Sequence, residues 1–139
     1  MTMLADRLNT YISEVRDRPF QWHVWDCFMF TNGAFKAMHG RGFADDWVGQ
    51  YTKDGLYLKR DQLRKVFEAD TLVEALDKKL ERSTSVPKKG ALVTTDRARK
   101  WVIGEALGIS IGAAAVFVSK SGLSQFPIEY TTNSWVLDA

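Results

Sequence analysis

Three side chains in this sequence could carry nucleophilic or acid–base chemistry near neutral pH: Cys27, His23 and His39. A thiol attacks only as its thiolate, and the positive end of a helix stabilises that form. Cys27 stands where a helix should begin. Cys27, Phe30, Thr31, Ala34, Phe35 and Met38 fall on one stripe, Asp26 is suited to accept from a first-turn N–H, and Gly40 suits a helix stop. Asp26 also pulls the other way, because its carboxylate repels a thiolate unless the cap takes up that charge. Cleaving an amide bond further requires a base to take the thiol proton and an acid to protonate the leaving amine, both within about 3 Å. His39 lies at the far end of the same predicted helix, about 18 Å away along an axis that rises 1.5 Å per residue, and cannot meet the thiol. His23 precedes the cysteine by one helical turn's worth of chain, in the loop entering the helix. Folded back over Cys27 it would be the available base; otherwise its role is loop packing or backbone hydrogen bonding. The plain alternative for Cys27 is that of a small buried hydrophobe, a common fate of free cysteine.

The elements that must position these residues are legible as helices first and strands second. Leu4, Leu8, Tyr11, Ile12 and Val15 recur at helical spacing and leave Asp6, Arg7, Glu14 and Arg16 outward, with Pro19 as the bound of this first helix. The helix opened by Cys27 is also apolar at Phe28 and Met29, which makes it central to a core. Phe20, Trp22, Trp25, Phe28 and Phe30 form an aromatic cluster around the cysteine. Alternation points Phe20 and Trp22 one way and Gln21, His23 and Trp25 the other, so Trp25 is expected to be partly exposed beside the thiol. Residues 41–59 carry Gly42, Gly49 and Gly55 between aromatic anchors and read as irregular chain. Within that stretch Trp47, Tyr51 and Tyr57 are candidate lid residues. Two short helices follow: one after Asp61 with Leu63, Val66 and Phe67 inward, the other opened by the Thr71–Glu74 capping-box pair with Leu72, Leu76 and Leu80 as its face. From Pro87 onward the chain turns β-rich. Residues 91–95, 101–103, 107–111, 114–118, 122–128 and 134–137 read as short strands with close turns, which implies antiparallel pairing because parallel crossovers need a dozen or more residues. The glycines of LGISIG are expected at bends or close contacts in the sheet. Trp101, Tyr130 and Trp135 are expected to pack on it. A single α+β domain over 1–139, with N-terminal helices on a C-terminal antiparallel sheet, is the economical conclusion.

Composition narrows the function classes. The 139-residue chain is 45% hydrophobic and 26% charged, as ordinary globular proteins are. With one cysteine it can form no internal disulfide and no four-thiolate metal site, and a reducing compartment is the simplest setting. The N-terminal residues are acidic too early for a signal peptide, and the longest apolar run, LGISIGAAAVFV, is too short to cross a bilayer as a helix. Positive charge gathers between residues 51 and 100, whereas 101–139 holds Lys120 alone. Acidic residues are interspersed through the basic stretch, so it reads as solvated helix faces rather than a nucleic-acid surface. Neither GxGxxG nor GxxxxGK[ST] occurs, and no cofactor or metal is expected.

The stretch WHVWDCFMFTNGAF, followed by PKKGALV and then LGISIG, resembles the NlpC/P60 branch of the papain-like cysteine peptidases, and resembles still more a group of small phage and prophage proteins of that layout. In that family a DC pair opens the nucleophile helix, a G-D-[LV]-[VI] strand follows, and a strand of the form H-[VI]-G-[IV]-x-x-G supplies the histidine. Asp26 and Cys27 match the first element. Gly90, Leu92 and Val93 match the second, with Ala91 in place of the acid. Leu107, Gly108, Ile109 and Gly112 match the third, with Ala106 in place of the histidine. On an extended strand, Glu105 would face away if Ala106 faced the cysteine. The resemblance implies a papain-like α+β fold with Cys27 as candidate nucleophile and His23 as its only nearby base. It also implies a cleft or partner surface around Trp25, Asp26, Trp47 and Tyr51.

Two function classes follow from it. The first is a non-catalytic phage or prophage domain used in binding or assembly with phage structural proteins such as tail components, located in the host cytoplasm or incorporated into the virion. The second is a diverged cysteine peptidase or amidase acting on peptide or cell-wall amide bonds. A DNA-associated role through the basic middle segment is the weakest reading.

Overall fold

The computed structural model describes residues 3–21, 25–48, 63–83, 86–96 and 106–137. Helix α1 spans Met3–Val15 and helix α2 spans Cys27–His39. A 3-10 turn at Asp45–Trp47 and a π-type turn at Leu63–Phe67 lead to the short helix α3, Leu72–Asp77. Six strands follow: β1 Glu81–Ser83, β2 Leu92–Thr95, β3 Ala106–Ser110, β4 Ala114–Ser119, β5 Gly122–Pro127 and β6 Asn133–Val136. They pair in the order β1-β6-β2-β3-β4-β5, antiparallel throughout, so the chain is α+β with its helices preceding its sheet.

Local chemistry sets the helix ends. The Asp26 carboxylate accepts the Met29 N–H at 2.9 Å, and Gly40 closes α2 in the left-handed region, its N–H bonding to the Lys36 carbonyl. Thr71 caps α3 by accepting the Glu74 N–H at 3.1 Å. The return half of that capping box is displaced by one residue, because the Glu74 carboxylate accepts from the Asp70 N–H. Leu72, Leu76 and Leu80 are buried as their spacing requires, although the helix itself ends before Leu80.

The helices α1 and α2 lie antiparallel. Tyr11 stacks on Phe30 with centroids 5.9 Å apart and donates its hydroxyl to the Phe30 carbonyl at 2.8 Å, while Arg7 reaches the Met38 carbonyl at the other end. Beneath α2 the sheet contributes Leu92, Leu107, Ile109, Val116, Val118 and Trp135 to one core with Leu8, Phe28, Phe35 and Leu76. The reverse face of the sheet carries a second cluster of Val93, Ala106, Ala115 and Phe117, backed by Phe126 and Ile128. Gly108 belongs to this face, where a Cβ would collide with the Phe117 ring, and Gly112 makes the bend into β4 at a φ of 108°. Both glycines of LGISIG thus act as that motif suggested.

Both edges of the sheet are short of free pairing groups. At one edge β1 is three residues long and polar. At the other, the Leu123 N–H of β5 donates to the Arg16 carbonyl, and Pro127 closes the strand without an N–H.

Several expectations are corrected. Strand β1 has no apolar alternation and was not expected; it exists because Glu81, Arg82 and Ser83 align with Val136, Trp135 and Ser134 of β6. Gln21 and Trp25 bond to each other through both backbone groups as an isolated antiparallel bridge, which continued alternation from Phe20 to Trp25 does not allow; residues 22–24 lie outside the described residues. In place of a helix around Leu63 and Phe67 there is a single π-type turn. Tyr130 sits on a 3-10 turn and is exposed, its ring edge-on to Phe126, whereas Trp135 is fully buried in the sheet as expected. The expected strand at 101–103 and the cap at Asp61 lie outside the described residues, as do Trp101, Tyr51 and Tyr57.

Candidate functional site

Cys27 is the first residue of α2 and is buried, with 4% of its surface exposed. Behind it Thr31, one turn along the helix, donates its hydroxyl to the Cys27 carbonyl at 2.7 Å. The sulfur faces the Leu107 amide of β3 together with the amides of Cys27 and Phe28, which form the positive end of the helix. These donors favour a thiolate, as expected for a thiol at that position. They are outweighed. Burial pushes the Cys27 thiol well above its ordinary range, and the neighbouring Asp26 carboxylate pushes in the same direction. The cysteine is therefore a protonated, enclosed thiol at neutral pH.

Around it the interior is aromatic. The Phe28 ring meets Phe43 edge-on at 5.7 Å and Trp47 at 5.9 Å, and Trp47 stacks on Phe67 at 4.3 Å. Trp25 lies edge-on to Phe30, with the Arg18 guanidinium 4.2 Å above its ring on the outer side. Its indole N–H is buried without a hydrogen-bond partner among the described residues.

The residues assigned to a cleft or partner surface are thereby relocated. Trp25 and Trp47 are each 5% exposed and Asp26 is fully buried, so all three belong to the interior. Trp25 was expected to be partly exposed; bridged to Gln21, it packs inward against Phe30, and Arg18 covers it. Trp47, expected as a lid, is a core residue, and Lys79 reaches over its outer face while pairing with Asp46.

The strand position aligned with a catalytic histidine also fails to meet the thiol. In β3 the side chains of Leu107 and Ile109 enter the core below α2, whereas Ala106 points to the reverse face with Val93 and Phe117. Ala106 therefore faces away from Cys27. Glu105 and His23 lie outside the described residues. His39 is at the opposite end of α2, exposed, with its ring 5.5 Å from Phe35. Burial against that end of the helix and the charge of Arg41 both lower its pKa. Among the described residues no imidazole stands beside the thiol.

One polar constellation was not anticipated. Asn32, on the buried side of α2, donates to the Asp45 carboxylate at 2.8 Å and accepts the Ala44 N–H at 2.9 Å, while Asp45 also accepts from the Gly42 N–H. Every partner is local chain, so this is a latch that ties the loop after α2 back onto the helix. Its sequence signal was a lone amide inside an apolar helix, where a buried polar group must find partners.

No curated protein matches the chain. The model of a domain of unknown function, DUF6950, matches residues 2–137, nearly the whole sequence, and the chain belongs to that family.

Proposed function

We propose that this protein is a non-catalytic domain of papain-like, NlpC/P60-type layout that serves binding or assembly in a phage or prophage, with tail components as partners. The carrying observation is the state of Cys27. It stands at the start of a helix packed on the strand that includes Leu107, the arrangement a cysteine hydrolase would use. Yet the thiol is enclosed and held protonated, and Ala106 on that strand turns to the other face. A nucleophile needs solvent, a base and a depressed pKa. Burial works against the first and last of these, and no described side chain supplies the second. The phage setting rests on the resemblance of WHVWDCFMFTNGAF and LGISIG alone.

Two measurements test the reading. Alkylation of Cys27 in the folded protein, followed by mass across pH, should proceed only after denaturation. Rapid labelling with an apparent pKa below about 8.5, joined to amine release from peptidoglycan fragments that C27A abolishes, would replace it with a diverged hydrolase. The tagged protein should retain tail or baseplate components from a producing host, and their absence from repeated pull-downs would remove the assembly role.

A further inference from the structure

At the end of α2 opposite Cys27 there is an open recess of about 340 Å³, within the size range of small-ligand sites. Its floor is apolar, made by Leu4 and Leu8 of α1, Met38 of α2 and Leu137 after β6. Leu4 is 47% exposed there, an apolar side chain left uncovered on a helix whose next turn, at Leu8, is fully buried. Two cations stand at the rim, Lys88 and Lys89 from the turn before β2, and His39 joins them from the end of α2. That turn is fixed, since Gly90 takes a φ of 96°, donates its N–H to the Ser110 carbonyl at 2.8 Å and packs against Met38, and Ala91 bonds back to the Lys88 carbonyl. The described lining includes no acidic side chain, and neither lysine has a carboxylate partner among the described residues.

An apolar trough with two lysines at its mouth that have no described carboxylate partner complements a molecule that is apolar along its length and anionic at one end. We propose that this recess binds a small amphipathic monocarboxylate, its acyl chain along Leu4, Leu8 and Met38 and its carboxylate at Lys88 and Lys89. The site is independent of Cys27, which lies at the far end of the helix, and stands whether or not the assembly reading does. The apolar floor supplies affinity in proportion to chain length, and the lysines select the charged end through charge-assisted hydrogen bonds.

Titration calorimetry of the full chain with decanoate, below its micellar concentration, tests the assignment. Saturable one-to-one binding is expected, and octanoate should bind roughly fifteenfold more weakly, two methylenes at about 0.8 kcal/mol each. The double variant Lys88→Gln/Lys89→Gln should weaken decanoate about tenfold and leave decanol unchanged. Ala5→Trp, which fills the trough from the rim of α1, should abolish binding of both. Absence of saturable decanoate binding by the wild-type chain overturns the proposal. So does decanoate affinity unchanged in either variant, and the lysine pair keeps the test decisive should Ala5→Trp not fold.

Discussion

The two ends of α2 are built on opposite terms. At its start, the residue best equipped for chemistry is enclosed by Phe28, Trp25 and the strand below, beside a buried carboxylate. At its finish, His39, Lys88 and Lys89 stand around an open trough, and none of them is a position to which the resemblance gives a role. The same apolar stripe produces both results. Where the start of α2 is buried, exclusion of water raises the cost of the thiolate beyond what three amides recover. Where α1, the turn before β2 and the residues after β6 surround the helix end, apolar floor remains open and charged side chains stay exposed around it. A motif residue and an accessible site need not coincide on one helix.

The sharpest way to break this contrast is to open the closed end. Phe28→Ala removes a fully buried ring that touches Phe43 and Trp47, and should cost about 3–5 kcal/mol in urea unfolding. If it also makes Cys27 reactive, enclosure alone keeps the thiol inert; a thiol still silent in the folded variant would assign that role to the adjacent Asp26.

Alkaline titration probes the same end without mutation. Cys27 and Tyr11 both have pKa values raised chiefly by burial, so the unfolded chain releases those protons first. The unfolded state then binds fewer protons, and stability falls as pH rises, from about pH 8.5 for the thiol and about pH 10 for the phenol. Each group contributes a slope of up to about 1.4 kcal/mol per pH unit. Stability curves for wild type and Cys27→Ala should converge above pH 9, and parallel curves would show that the thiol ionises freely in the native state.

How much of this was legible depends on the range of the contact. The stripe, Asp26 cap and Gly40 stop of α2 rest on neighbours within four residues and could be read directly. The strands of the second half could be read from their apolar runs. Strand β1 could not, because its pairing is dictated by β6 more than fifty residues away. Trp25 and Trp47 were misplaced because local alternation does not show what packs on them, Arg18 and Phe30 on the one and Phe67, twenty residues on, against the other. The facing of Ala106 turned on strand parity, where one residue decides between opposite sides of a sheet. The recess at the end of α2 joins four separate stretches of chain and left no local trace.

Smaller effects sharpen the comparison. Asn32→Ala deprives the Ala44 N–H of its side-chain acceptor and the Asp45 carboxylate of one of its two described donors, and a loss of about 1–3 kcal/mol is expected in the same unfolding assay. Asp26→Ala should cost about 1 kcal/mol through the lost cap, and should also lower the Cys27 pKa by removing a like charge, seen as faster alkylation in partly denaturing urea. Lys88→Gln/Lys89→Gln, at the open end, should leave stability within about 0.5 kcal/mol of wild type. A larger loss there would mean that the rim is structural and that the two ends of the helix are less different than their geometry indicates.

The closed borders of the sheet bear on how such a protein behaves when crowded. Strand-by-strand growth, the route to domain exchange and fibre formation, needs a border with a row of unused amides. Here the final strand spends one of its outward amides on Arg16 and ends in Pro127, and the opposite border is a three-residue charged stub. Copies packed side by side find little unpaired strand to extend at these borders, which favours contact through faces and loops and the retention of each subunit's own register.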